Sequence, residues 1–213
     1  MRLGLVFLLS AVLVKSTYAV ELPKLLQEVE QKYTKQVTLE VSFVQVNTSA
    51  TFSKKTTTSG VIRIKRPDKV RWETLKPDSD MNLMVSDGRK FWFYTPPFDE
   101  GEHGQVIERK SAQVQSQLAQ ALLSGTFSKA KGMSIKQNSE SRFTLVPKKG
   151  TAGTVTKAEI QVDPDKKLIT KVTLSNEGGN RSEITLSNIE LGKPLGDEYF
   201  SFEPPPNTDR IKN

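Results

Sequence analysis

The sequence predicts a mainly β protein, built as one large curved antiparallel sheet or an open barrel. Apolar residues alternate with a period of two in about ten short segments. Turn signals separate these segments, among them Asp87-Gly88, Asp163-Pro164-Asp165 and residues 176–180. Helical spacing occurs convincingly in only two places. The helices are therefore expected to be accessory to the sheet.

The N-terminal residues are of a different kind. Residues 3–14 form an almost unbroken apolar run after the basic Arg2, and small residues stand at positions 17 and 19. This pattern is typical of a secretory signal peptide and is short for a membrane span; an N-terminal anchor helix is the alternative. We predict a signal peptide at residues 1–19 and a single domain at residues 20–213. No later segment has the apolar length of a membrane span, so we expect none.

The two predicted helices flank the early strands. The first runs from Leu22 to Lys35 and places five apolar side chains at helical spacing: Leu22, Leu25, Leu26, Val29 and Tyr33. The second runs from Ala112 to Leu123, with Gly125 as its stop signal. No charged residue occurs between Ser111 and Thr126. A helix of this composition caps a core or covers an apolar opening.

The predicted strands follow from the alternation of apolar residues between turn signals. The first carries Leu39, Val41 and Phe43 on one face, and the second carries Ile62 and Ile64. In chain order the predicted strands are 39–43, 57–66, 70–72, 81–85, 91–94, 134–136, 142–146, 157–162, 168–175 and 181–190. No internal repeat or domain linker interrupts this order.

Composition excludes several classes of protein. The chain has no cysteine, so an exported form has neither disulfides nor a cysteine to carry its own lipid. It has 31 Lys and Arg against 24 Asp and Glu. This mild excess indicates a solvated surface or attraction to an anionic membrane or an acidic partner. The basic residues are scattered, so we expect no nucleic-acid partner.

The sequence carries few residues suited to catalysis. The one histidine, His103, lies in the acidic stretch Asp99 to Gly104, without a second histidine or a cysteine to complete a metal site. That stretch is either a mobile acidic loop or a weak site for a divalent ion. Nucleophile-elbow and glycine-rich phosphate motifs are absent. We expect no enzyme, no cofactor and no metal; a carboxylate pair for glycoside hydrolysis is the enzymatic alternative.

Five motifs, in order along the chain, resemble the outer-membrane lipoprotein carrier family (LolA). They are Ser42-Phe43-Val44-Gln45, Gly60 through Trp72, Val85 through Tyr94, Phe143 to Lys148 and Phe200 to Pro205. The resemblance implies an incomplete, strongly curved antiparallel barrel of about eleven strands with a helical lid. The acidic stretch and the N-terminal helix depart from the family's pattern, which leaves partner contacts there open.

The resemblance also implies a function. Proteins of this family are periplasmic chaperones that take acylated lipoproteins from an inner-membrane ABC transporter and deliver them to an outer-membrane receptor lipoprotein. We expect a monomeric, periplasmic carrier of this kind. The alternative is a periplasmic lipid-sensing or regulatory module of the same barrel type, although such modules usually have a second domain.

The apolar strand faces either line a lipid-binding cavity or fill an ordinary core. A barrel too wide for its own side chains encloses a cavity, and apolar walls make that cavity a solvent for acyl chains. The candidate cavity residues are Leu39, Val41, Phe43, Ile62, Ile64, Val70, Trp72, Leu83, Val85, Phe91, Phe93, Leu118, Leu122, Phe143 and Leu145.

Arg66 is the one charged candidate. It shares strand parity with Ile62 and Ile64, so its guanidinium can face the cavity side, where an unpaired charge is costly. Carbonyl groups at the end of a lid helix would satisfy it. Arg66 belongs to the sequence Lys65-Arg66-Pro67 within the motif from Gly60 to Trp72, and the resemblance implies that the arginine of this motif holds the lid closed. A surface arginine at a strand end, next to Pro67, is the alternative.

Overall fold

The computed structural model describes residues 22–52, 54–110, 121–129, 132–148 and 153–211. The predicted signal peptide lies outside these residues, as does most of the second predicted helix, including Leu118. Within the described residues, no helix is both long and apolar enough to cross a membrane.

Helix α1 covers Lys24–Thr34, slightly shorter than predicted. The strands are β1 Thr38–Thr48, β2 Lys55–Lys65, β3 Lys69–Lys76, β4 Asn82–Asp87, β5 Lys90–Thr95, β6 Gly104–Lys110, β7 Met133–Ser139, β8 Arg142–Pro147, β9 Val155–Asp163, β10 Leu168–Asn176, β11 Arg181–Leu191 and β12 Thr208–Ile211. Short 3-10 turns occupy Asp78–Asp80, Phe127–Lys129, Glu177–Gly179 and Asp197–Phe200. Residues 121–123 are helical, and a turn follows at 124–125.

All these strands belong to one sheet, in the order β12-β6-β5-β4-β3-β2-β1-β11-β10-β9-β8-β7. Neighbours are antiparallel except for β12, which pairs with β6 in parallel. In the described part of the chain β7 and β12 are the edge strands, so the barrel is incomplete. The predicted fold class, an open curved barrel with a helical lid, is confirmed.

Two of these strands, β6 and β12, were not predicted. Strand β6 has the sequence GQVIERK, in which a short apolar pair is followed by charged residues, and β12 is only four residues long. Neither carries enough alternation to signal a strand. Pairing with neighbours supplies the stability that their own sequences lack.

Gly60 allows two strands to approach closely near the middle of β2. It pairs with Phe43 of β1 and lies beside a register shift toward β3. A Cβ atom at this position would come 1.8 Å from the Glu73 carbonyl oxygen and 2.9 Å from the Phe43 ring. Only glycine fits this position without moving its neighbours.

The concave face of the sheet holds the main hydrophobic core. Helix α1 contributes Leu26, Val29 and Tyr33, which its helical spacing places on one side, and all three are buried. The Tyr33 hydroxyl accepts a hydrogen bond of 3.0 Å from the Ile169 backbone N–H of β10. Burial raises the pKa of Tyr33 to about 12. The helix is thereby attached to the β9–β10 side of the barrel.

A second, smaller cluster covers the convex face of β4, β5 and β6. Val85, Trp92 and Val106 form its buried centre. Phe202, from the chain after the last 3-10 turn, packs against it with its ring 5.3 Å from that of Tyr94 and 6.5 Å from that of Trp92. The C-terminal part of the chain therefore covers this side of the sheet.

Candidate functional site

A cavity of about 1070 Å³ opens on the concave face of the sheet. Its wall comes mainly from β2, β3, β4 and β5, with contributions from the ends of β1, β10 and β11. Residues 121–126, called the lid segment below, contribute Ala121, Leu123, Ser124 and Thr126. The space exists because α1 packs over the other half of the barrel and leaves this half unfilled.

The wall nearest the lid segment is mainly apolar. Trp72 is held there by an edge-to-face contact with Phe43, with the ring centroids 5.1 Å apart. Strand pairing places Trp72 opposite Ile62 on one side and Met84 on the other. The apolar residues of this wall are Ile62, Ile64, Val70, Trp72, Met84, Phe91, Phe93 and Leu123, whereas Leu174 and Ile184 line the cavity beside Ser182 and Gln45 at its other end.

Six of the predicted cavity residues line this space: Ile62, Ile64, Val70, Trp72, Phe91 and Phe93. Six others belong instead to the packed core between the sheet, α1 and the lid segment: Leu39, Val41, Phe43, Leu122, Phe143 and Leu145. The sequence left a cavity and a filled core as alternatives, and the barrel contains both. The same alternation produces core where α1 covers the sheet and cavity wall where it does not.

The prediction that Leu83 and Val85 face the cavity is wrong. Pairing with β3 puts Met84 opposite Trp72, so Met84 faces inward. Leu83 and Val85 therefore point to the convex face, where they join the cluster around Trp92. The error arises because residues 83–85 are all apolar, so alternation alone does not show which face is buried.

Arg66 joins three parts of the chain at the lid end of the cavity. Its Nη2 donates to the Ser124 carbonyl at 2.9 Å and to the Tyr33 carbonyl at 3.1 Å, and its Nε donates to the Gln36 carbonyl at 3.0 Å. These acceptors belong to the lid segment, the last turn of α1 and the chain after it. Helix C-terminal carbonyls carry partial negative charge and favour a cation. Burial lowers the pKa of the guanidinium, and the charge of Glu30 partly offsets this effect.

A second contact holds the residues that follow the lid segment to α1. Glu30 of α1 accepts hydrogen bonds from the backbone N–H of Ser128, at 3.0 Å, and from its hydroxyl. Between these contacts lies Gly125, with φ of 67°. A Cβ atom on Gly125 would come 2.7 Å from the Tyr33 ring, so the residue is required both by its backbone and by the space available. The closed lid is therefore closely fitted to α1.

The wall also contains polar residues that the alternation of apolar residues did not predict. At the end of the cavity away from Arg66, the lining changes to polar side chains, which are neutral apart from the exposed Asp80: Gln45, Asn47, Thr56, Thr58, Thr74, Ser79, Asp80, Asn82, Thr95 and Ser182. Gln45 and Asn47 share strand parity with Val41 and Phe43. The sequence feature that could have predicted this polar end is the change from apolar to polar residues along one face of β1.

His103 lies outside the cavity. Its Nδ1 is 3.1 Å from a carboxylate oxygen of Asp209 in β12, and both side chains are exposed. The described residues contain no cluster of three or more histidine, aspartate or glutamate side chains that could hold a metal ion. The contact with Asp209 attaches the acidic stretch to the edge strand.

The sequence has relatives among known proteins. Residues 34–203 match the family model described as outer membrane lipoprotein carrier protein LolA. The outer-membrane lipoprotein carrier protein of Dechloromonas aromatica (strain RCB) is 31% identical over 178 residues, covering 82% of this chain and 81% of that protein. The protein of the same name from Pseudomonas putida strain KT2440 is 28% identical over 216 residues, covering 100% of both.

Among solved structures, an uncharacterized conserved protein from Thermus thermophilus superposes with a TM-score of 0.53 at 12% sequence identity. The superposition covers 88% of this chain and 98% of that one. This likeness shows a shared fold.

Proposed function

The chain belongs to the outer-membrane lipoprotein carrier family, LolA, and we propose that it carries lipoproteins by sheltering their acyl chains in the cavity under the lid segment. The proposed route runs from an inner-membrane ABC transporter to an outer-membrane receptor lipoprotein. Residues 1–19 are proposed to be the signal peptide that exports the single domain, residues 20–213, to the periplasm. The protein acts without a cofactor and without catalysis.

The observation that carries this proposal is the apolar wall beneath the lid segment. The cavity, about 1070 Å³, reaches the upper end of the range typical for small-molecule sites, which suits long chains. Each methylene removed from water contributes roughly 0.8 kcal/mol, so about ten of them supply about 8 kcal/mol. Part of this gain is offset by the freedom that the lipid and the lid segment lose on binding, so longer chains are needed for a stable complex and the net affinity stays moderate.

A carrier with no energy source of its own must also release its cargo. The three hydrogen bonds of Arg66 favour the closed, empty cavity. Leu123 and Ala121 of the lid segment then occupy part of the space beside the apolar wall. Acyl chains compete with this closed state for the same wall. The competition keeps the affinity moderate, so that a receptor with a better site can take the lipoprotein.

We expect the protein purified from the periplasm to bind a solvatochromic dye in this cavity. A diacylated lipopeptide should displace the dye, because its chains compete for the apolar wall. The same peptide without its lipid should not. Fluorescence titration measures both displacements. Equal displacement by the two peptides, or none by either, contradicts acyl-chain binding. Native mass spectrometry separates a carrier from a lipid-sensing module, because a carrier is expected to co-purify with lipoprotein.

A further inference from the structure

The cavity changes character along its length, from mainly apolar near the lid segment to mainly polar at the opposite end, where the exposed Asp80 is the one charged lining residue among those that the structure describes. Strand register shows the same change across three neighbouring strands. Gln45 of β1 lies between Thr58 of β2 and Ile184 of β11, and two residues further along Asn47 lies between Thr56 and Ser182. From Thr58 to Ile64 along β2 is six residues, so the apolar and polar ends are roughly 20 Å apart.

Five of these polar side chains form two hydrogen-bonded groups on different strands. The Gln45 amide nitrogen donates to the Asn47 side-chain oxygen at 2.9 Å and to the Ser182 hydroxyl oxygen at 2.8 Å. With both amide hydrogens used, Gln45 positions its two neighbours. Across the cavity, the Thr74 hydroxyl donates to the Asn82 side-chain oxygen at 3.2 Å. These two groups and the neighbouring threonines present hydroxyl and amide groups, which can both donate and accept hydrogen bonds.

Hydrocarbon is a poor occupant of this end. An acyl chain laid against the amides and hydroxyls would remove their water and return no hydrogen bond, at a cost in free energy. The ligand that fits the whole cavity has long apolar chains joined to a compact, uncharged, hydrogen-bonding head. Ester carbonyls accept hydrogen bonds, and an amide both donates and accepts them.

We propose that the polar end is a subsite for the ester and amide groups that join the acyl chains to the N-terminal cysteine of a lipoprotein. The inference rests on the proposed function and deepens it. The acyl chains extend from this subsite toward the lid segment. The polypeptide then leaves the barrel at the end where the β1–β2 and β10–β11 connections lie, away from Arg66. The subsite orients the cargo and distinguishes a lipoprotein from a simple hydrocarbon.

The test removes two hydroxyls without changing side-chain shape. The double variant Thr58→Val with Ser182→Ala is compared with Thr57→Val with Thr185→Val, which alters exposed positions of the same two strands. Two probes are titrated against each periplasmically exported protein: a diacylglyceryl-cysteine lipopeptide and the hydrocarbon fluorophore diphenylhexatriene. The subsite variant should bind the lipopeptide about tenfold more weakly and diphenylhexatriene as well as the wild type does. The control should match the wild type with both probes.

A second pair of ligands distinguishes a loss of the subsite from an indirect effect of the substitutions on folding. Wild-type protein should bind the ester-linked lipopeptide more tightly than an ether-linked analogue with the same chains, and the subsite variant should lose this preference. A wild type without the preference, or a variant that weakens both probes equally, overturns the subsite and leaves acyl-chain binding intact. A wild type that binds neither probe overturns the proposed function and the subsite with it.

Discussion

Arg66→Leu protein is expected to load lipoprotein at least as well as the wild type and to deliver it to outer-membrane vesicles about tenfold more slowly. Arg66 donates to the carbonyls of Ser124, Tyr33 and Gln36, so leucine removes three hydrogen bonds that hold the lid segment against α1. Each charged hydrogen bond contributes about 1.5–3 kcal/mol, of which part returns when water solvates the carbonyls. The closed, empty state loses stability, and acyl chains meet less competition.

Two comparison variants isolate the role of the hydrogen bonds. Arg66→Lys keeps the charge but cannot reach three carbonyls at once, so its transfer rate should fall between those of the wild type and the leucine variant. Lys69→Leu removes a charge from the same β2–β3 corner, where Lys69 pairs with Asp197 at 3.0 Å. Its uptake and transfer should both resemble the wild type. Uptake that is lost in folded Arg66→Leu protein, or transfer that is unchanged, contradicts a closing role for Arg66.

The second large effect is expected from a charge placed in the apolar wall. Met84 lines the cavity opposite Trp72 and is half-buried, so glutamate there is solvated while the cavity is empty and the fold survives. Bound acyl chains would strip water from the carboxylate. We expect Met84→Glu to weaken lipopeptide binding by about 100-fold or more, measured by dye displacement.

Val146→Glu is the matched control, because it adds the same charge at an apolar residue that is 44% exposed on β8, away from the cavity. Its affinity should equal that of the wild type, and circular dichroism should show that both variants fold. If Met84→Glu binds lipopeptide as tightly as Val146→Glu does, the acyl chains do not occupy this wall.

Much of the fold could be predicted because one face of each long strand is buried, which imposes alternation on the sequence. Leu39, Val41 and Phe43 show this pattern clearly, and β1 is where it indicated. The short β12 and the charged end of β6 lack this alternation. Their positions in the sheet depend on the pairing of β6 with β12 and on the packing of Phe202 against the cluster that contains Val106 of β6. Such strands are set by the tertiary structure.

The candidate site was harder to predict than the fold. Alternation assigns a residue to a face, but it does not reveal whether α1 covers that face. Phe43 and Trp72 are in contact, yet only Trp72 lines the cavity. Residues 83–85 are all apolar, so the sequence does not show which of them faces the cavity. The pairing of β4 with β3 places Met84 on that side. The parity of Arg66 with Ile64 predicts its side of the sheet, whereas its acceptors come from distant parts of the chain.

In the proposed function, acyl chains occupy the space in front of Trp72. The chain has two tryptophans, and Trp92 lies in the convex-face cluster instead. In Trp92→Phe protein, a lipopeptide with brominated acyl chains should quench the fluorescence of Trp72 in a saturable way, because bromine quenches by contact. In Trp72→Phe protein the same ligand should leave Trp92 unquenched. Equal quenching of both tryptophans, or none of Trp72 at saturation, would contradict acyl-chain binding in this cavity.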